Sequence, residues 1–483
     1  MAYNIIQLDP VYALRAIVFT LIFTAVMMGV AVIATRSIHK GALLATLALL
    51  LFLTYGHVYN LIENRFSLGH HRYLMALWFA LFLIGAGFIF RSKKKLRVFS
   101  TFLNLFSVFL IAMPLFQIAR FELQHKQPAA VLNPRVDSVW QQEGNAVANS
   151  PDVYYIVLDA YSRSDMLKEY YSSDNSQFIQ ELRQLGFYVA DCSMSNYSYT
   201  ASSISSTLNM DFLDQFASKI IDQNRSYYDL GEMIKHNKVR ELFHSLGYRF
   251  VTFDTGIWWL DITDSDQFIS KYKSPWETVL NFNLLGNFEK YYIQTTALRA
   301  LDEYKMSQEN KFGKVWLSTE KAHYNQILFD LDQLTELPKS GSPQFIYAHL
   351  VAPHFPYVFN PDGSFAYTLS DHPGYRNEIE YLDKRLIEVL KKIITDSKTP
   401  PIIILQGDHG LKNEVRNANL SAYYFPNGGE ERLYPTLTSV NTFRLVFNTY
   451  FGADYPLLPD VARSASYQKP YDFTIVEDDC PVQ

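Results

Sequence analysis

PIIILQGDHG, residues 401–410, sets the aliphatic run Ile402 to Leu405 between Pro401 and Gly407 and then delivers Asp408 and His409. A run this short and apolar, bounded by turn residues, predicts a buried strand. Strands that are apolar throughout rather than alternating belong to a parallel sheet with both faces covered. A carboxylate followed by an imidazole at the end of such a strand is metal-ligand chemistry.

Working outward, the same pattern recurs. VYYIVL (153–158), YRFVTF (248–253) and QFIYAHL (344–350) read as further strands, and NSQFIQELRQLG (175–186) as a helix ended by Gly186. Helices are also predicted over 229–246, 319–336, 375–395 and 439–451. Short strands alternating with amphipathic helices predict an α/β domain with a largely parallel sheet. SASYQKPYDFTIVEDDCPVQ (464–483) reads as a last edge strand and a loose acidic end.

Upstream the character changes. Four apolar segments, 13–34, 41–62, 73–90 and 99–121, are each long enough to cross a hydrocarbon layer of about 30 Å. The predicted organisation is a four-helix transmembrane domain over 1–121, a linker over 122–150 and an extracytoplasmic catalytic domain over 151–483. Seven basic residues (Arg36, Lys40, Arg91, Lys93, Lys94, Lys95 and Arg97) fall in the loops on one side, against Arg15, Arg65 and Arg72 on the other. The richer side belongs in the cytoplasm, so the chain is expected in the cytoplasmic (inner) membrane with residues after 121 outside. His57, Asn60 and Glu63, at the outer end of the second segment, either receive a lipid head group, or reach interfacial water or pair between helices.

In 483 residues, 48% hydrophobic and 15% aromatic, there is ample material for a core. A net charge of −5 excludes a generally basic surface, and nucleic acid is not an expected partner. Two cysteines, Cys192 and Cys480, exclude multi-cysteine metal clusters. Whether they bridge or stand as separate thiols is open at this level.

Ligands of an open parallel sheet bind beyond the carboxyl ends of its strands. There the chain presents Asp159 after the first strand, His349 and His354 around HLVAPHFPY, and Asp408 with His409. Alone, Asp159 could cap a helix, His354 could be a loop residue and His349 a hydrogen-bonded strand residue. Together, two buried carboxylates repel and lose solvation unless a cation joins them, so Asp159, Asp408 and His409 are expected to bind one divalent metal. CSMSNYSYTASSISSTLNM (192–210) places many hydroxyls at the start of a helix, where backbone amides favour an anionic substrate. Ser198, Thr200, Ser202 and Ser203 all remain candidates for a nucleophile. Trp258 and Trp259 are expected in the core, and Asp383 on a solvated helix face.

The succession YYIVLDAYSR, NYSYTASSISSTLNM, HLVAPHFPY and LQGDHG resembles the sulfatase-like branch of the alkaline phosphatase superfamily. Within it the chain is similar to the membrane-anchored group of lipoteichoic acid synthases and phosphoethanolamine transferases. The resemblance implies that Asp159, Thr200, Asp408 and His409 hold the metal, with manganese or zinc favoured and magnesium or calcium admissible. Thr200 becomes the nucleophile, and His354 contacts the oxygens of the transferred group. It further implies a lipid-linked donor and an envelope glycan or lipid acceptor. Those transferases typically carry Glu where this chain has Asp159. The chain also lacks the Cys/Ser-x-Pro-x-Arg setting of formylglycine sulfatases, which favours phosphoryl over sulfuryl chemistry. The expected activity is therefore transfer or hydrolysis of a phosphoryl-type group. The alternatives are an ester hydrolase with water as acceptor and a catalytically silent glycan- or partner-binding protein.

Overall fold

The computed structural model describes residues 13–66, 71–92, 97–125, 150–217, 226–271, 287–300, 319–339, 343–368, 370–411, 415–466, 469–477 and 480. The chain divides into two compact units, Met1–Pro128 with Tyr272–Thr319, and Ala129–Lys271 with Glu320–Gln483. Most of the expected linker and Lys93–Lys95 of the basic loop lie outside the described residues.

The first unit contains helices Ala13–Thr35, Ile38–Phe66, His71–Arg91 and Arg97–His125. All four are long and apolar enough to cross a membrane. Helix Asn287–Thr295 joins this unit, although the sequence assigns that stretch to the catalytic domain. It is held through an Arg15–Glu289 ion pair at 2.7 Å and a Thr20–Tyr292 hydroxyl contact at 2.8 Å. Arg299 donates to Asn60 and lies over the Tyr59 ring at 4.3 Å. Asn60 thus pairs inside the protein.

The second unit is built on a seven-stranded sheet: β1 (Val153–Leu158), β2 (Tyr188–Val189), β3 (Arg249–Phe253), β4 (Gln267–Ile269), β5 (Gln344–Leu350), β8 (Ile402–Gly407) and β9 (Ser421–Tyr424). Their order is β2-β9-β8-β1-β5-β3-β4. β8, β1, β5, β3 and β4 run parallel, and β9 is antiparallel to both neighbours. β6 (Tyr357–Phe359) and β7 (Phe365–Thr368) form a separate hairpin.

The pleat of β1 explains why every residue in it is apolar. Tyr154, Ile156 and Leu158 face one core with helices Ser176–Gln184, Thr319–Leu334 and Asp371–Asp396. Val153, Tyr155 and Val157 face the other with helices Thr200–Asn209, Lys238–Ser245 and Thr442–Tyr450. Both faces are covered, as the unbroken apolar runs require.

Two expectations change and one open question is settled. The helix predicted over 229–246 is two, Ser226–Lys235 and Lys238–Ser245. Asn237 separates them, its side chain accepting from the Arg240 amide at 2.7 Å as an N-cap. The C-terminal stretch does not join the main sheet; Ala462–Ser466 and Lys469–Val476 pair with each other. There Phe473 packs on Tyr197, ring centroids 4.8 Å apart, so the hairpin covers the loop before helix Thr200–Asn209. Finally, Cys192 and Cys480 form a disulfide, tying the end of the chain to the start of that loop.

Candidate metal centre

Register brings the two carboxylates together. Leu158 lies opposite Gly407 in the β1–β8 pair, so the next residue on each strand, Asp159 and Asp408, leaves the same edge side by side. Ala160 then takes a left-handed conformation (φ 64°) that turns the chain away. Ligand atoms of Asp159, Asp408 and His409 all lie within 4.8 Å of one another, and all three residues are buried.

Each of the three candidate ligands also makes a contact through its second polar atom. The amides of Ala160 and His409 both donate to Oδ1 of Asp408 at 2.9 Å. Nδ1 of His409 faces the Gly410 carbonyl at 2.7 Å. Only an N–H can face a carbonyl, so Nε2 carries the lone pair. It lies 3.5 Å from Asp408 Oδ2 and 3.9 Å from Asp159 Oδ1. His349, fully buried in β5, places Nε2 3.5 Å from Asp159 Oδ2 and Nδ1 3.2 Å from the Tyr347 hydroxyl.

Asp159 Oδ1 and Asp408 Oδ2 are buried without a hydrogen-bond partner among the described residues. Orphaned carboxylate oxygens flanking an imidazole lone pair suit a divalent cation in both donor type and charge. Burial pushes the Asp159 pKa up, but the imidazoles of His354, His349 and His409 outweigh it and hold the carboxyl well below its usual range. Burial also depresses His409, against the opposing pull of Asp408, which keeps the ring neutral as a ligand must be.

The four hydroxyl candidates separate by partner. Ser198 donates to Asn417 at 2.9 Å, Ser202 to the Tyr199 carbonyl at 2.9 Å and Ser203 to the Asp408 carbonyl at 2.6 Å. Thr200 Oγ1 instead lies 3.1 Å from His409 Nε2. Thr200 opens helix Thr200–Asn209, whose N-cap residue Tyr199 supplies no capping side chain. The first-turn amides therefore point at whatever Thr200 faces.

His354 is half-buried, with Nδ1 against the Phe355 carbonyl at 2.7 Å. The sequence reading misses a further imidazole, His323, in helix Thr319–Leu334. It hydrogen-bonds the Val351 main chain, and its Nε2 is buried without a partner among the described residues. No motif marks it, because a lone histidine on an amphipathic helix has no distinguishing spacing. Asp383 corrects the solvated-face expectation: it accepts the Tyr161 hydroxyl at 2.6 Å, and burial raises its pKa to about 8. Trp259 packs, half-buried, against two apolar clusters.

Residues 151–450 match the family model for Sulfatase. The chain belongs to the sulfatase family. Among solved structures, this sulfatase-family chain is similar to the zinc complex of the C-terminal periplasmic domain of EcEptC from Escherichia coli, at 10% identity and TM-score 0.42, with 65% of this chain and 89% of that chain covered. It is also similar to the phosphonate monoester hydrolase of Agrobacterium radiobacter (11%, TM-score 0.38, 65% and 80% covered). The lipoteichoic acid synthase LtaP from Listeria monocytogenes follows (12%, TM-score 0.36, 63% and 72% covered). At these scores the likenesses carry nothing about the reaction. No curated protein sequence matches the chain.

Proposed function

We propose that this chain is a membrane-anchored sulfatase-family metalloenzyme that moves a phosphoryl-type group through a covalent intermediate on Thr200. The observation that carries the reading is the position of the Thr200 hydroxyl, 3.1 Å from Nε2 of His409 beside two carboxylate oxygens without a hydrogen-bond partner among the described residues.

In the first step Thr200 Oγ1 gives up its proton and bonds to phosphorus as the ester bond to the leaving alcohol breaks, and the leaving oxygen takes up a proton. In the second, an acceptor hydroxyl attacks phosphorus and gives up its proton as the bond to Thr200 breaks and Oγ1 regains a proton. Asp159, Asp408 and His409 would hold the divalent cation with Thr200, manganese or zinc by the resemblance of the motifs. What the cation supplies when bound is charge that favours the ionised threonine oxygen and the negative oxygens of the transferred group. The open amides of helix Thr200–Asn209 act in the same sense, and His354 contacts those oxygens from the β5 side.

The phosphoethanolamine or phosphoglycerol class of donor, and an envelope lipid or glycan as acceptor, follow the motif resemblance. Placement in the cytoplasmic membrane with the catalytic unit outside is supported by the four apolar helices, the basic residues on one side and the Cys192–Cys480 disulfide, which persists in oxidising compartments.

The test is mass spectrometry of the Thr200 peptide after incubating the full chain with membrane lipid extract and manganese. A phosphoethanolamine or phosphoglycerol adduct is expected. Undiminished turnover of a model diester by Thr200→Ala would overturn the nucleophile assignment, and release of the free head group without glycan or lipid modification would make water the acceptor.

A further inference from the structure

Three histidines around the centre share one arrangement. His409 turns Nδ1 to the Gly410 carbonyl, His354 turns Nδ1 to the Phe355 carbonyl, and His323 is anchored through the Val351 main chain. In each the remaining nitrogen, Nε2, is left as a lone pair when the ring is neutral. Nε2 of His409 faces Asp408 and Asp159, whereas Nε2 of His323 is buried with no hydrogen-bond partner among the described residues. A buried acceptor left without a donor costs free energy, and native proteins rarely keep one without use.

The surroundings of His323 say where that lone pair lies. Val351 follows directly on β5, at the sheet edge where the metal ligands emerge. The charges that act on His323 are those of His354, Asp159 and Glu320. One turn along the same helix face, Gln326 donates to the Asp254 carbonyl at 3.3 Å, just beyond β3. His323 therefore sits past the ends of β5 and β3, on the side of Asp159 away from β8.

We infer that Nε2 of His323 binds the group carried on phosphorus, accepting a hydrogen bond from an ammonium or hydroxyl of that head group. The assignment rests on the phosphoryl-transfer reading above. Burial, the largest influence on the ring, lowers its pKa to about 4, so it is neutral at physiological pH and can accept but not donate at Nε2. The site therefore selects for a head group with a proton to give. A quaternary ammonium, which has none, is disfavoured.

The experiment is calorimetric binding of O-phosphoethanolamine, glycerol 3-phosphate and phosphocholine to the full chain in detergent with manganese. Wild type should bind one or both of the first two about tenfold more tightly than phosphocholine, the worth of one net hydrogen bond. The tighter of the two identifies ammonium or hydroxyl as the donor. His323→Ala should erase the preference, and His323→Gln, which keeps an acceptor oxygen, should restore part of it. Equal binding of all three by wild type overturns the assignment without recourse to any variant, as does a His323→Ala variant that weakens all three alike. If wild type binds none of them, the phosphoryl reading itself fails; binding without discrimination removes only His323.

Discussion

Asp159 and Asp408 approach across the β1–β8 pair with ligand atoms no more than 4.8 Å apart, and each keeps one carboxylate oxygen out of any hydrogen bond among the described residues. Chelation should therefore lower the melting temperature, and manganese or zinc at 100 times its dissociation constant should restore about 2.7 kcal/mol. Asp159→Asn should weaken metal binding at least about 10-fold and also lower the stability of the metal-free protein, because the neighbouring imidazoles favour the ionised carboxylate in the fold. Thermal melts with and without metal read both effects. A metal response of wild-type size in Asp159→Asn would remove this residue from the ligand set.

Gly407 ends β8 immediately before Asp408, and a Cβ there would overlap the Tyr161 carbonyl oxygen. Main chain cannot swing aside as a long side chain can. Gly407→Ala should cost about 1–3 kcal/mol and, by displacing Asp408, lower metal affinity at the same time. Denaturant titration with metal calorimetry on one preparation would check the pairing.

Tyr161 donates to Asp383 and in turn accepts from Asn175 at 3.1 Å, joining the turn after Asp159 to helix Asp371–Asp396. Burial raises the Asp383 carboxyl from an ordinary 3.8 to about 8. Between those values the folded protein holds a proton that the unfolded chain lacks. Stability from this group is thus full at low pH and falls as pH climbs toward 8, by at most about 1.4 kcal/mol per pH unit. Asp383→Asn accepts from Tyr161 without titrating, so its melting temperature should match wild type near pH 4 and exceed it increasingly up to pH 8. A constant difference across that range would refute the assignment.

The Cys192–Cys480 bridge spans 288 residues. Its reduction, or Cys480→Ser, should destabilise the sulfatase-family unit by about 2–4 kcal/mol. The C-terminal hairpin that covers Tyr197 should then become the first segment cut by protease, which limited digestion with and without reductant would reveal.

Much of the fold was legible in the chain. The apolar runs 153–158, 344–350 and 401–406 fit only central strands, and four stretches upstream read as helices long and apolar enough to cross a membrane, because burial and period are local properties that each segment declares for itself. Asp159, Asp408 and His409 were visible because a parallel sheet sends the residue after each strand to a common edge. By contrast, the separation of Thr200 from Ser198, Ser202 and Ser203, the burial of Asp383, the Cys192–Cys480 bond and the bare Nε2 of His323 depend on partners tens to hundreds of positions away. A hydroxyl, carboxylate, thiol or imidazole reads the same in sequence whether it meets water, a carbonyl or a ligand atom; only the tertiary structure decides which, because desolvation and hydrogen bonding are set by neighbours in space.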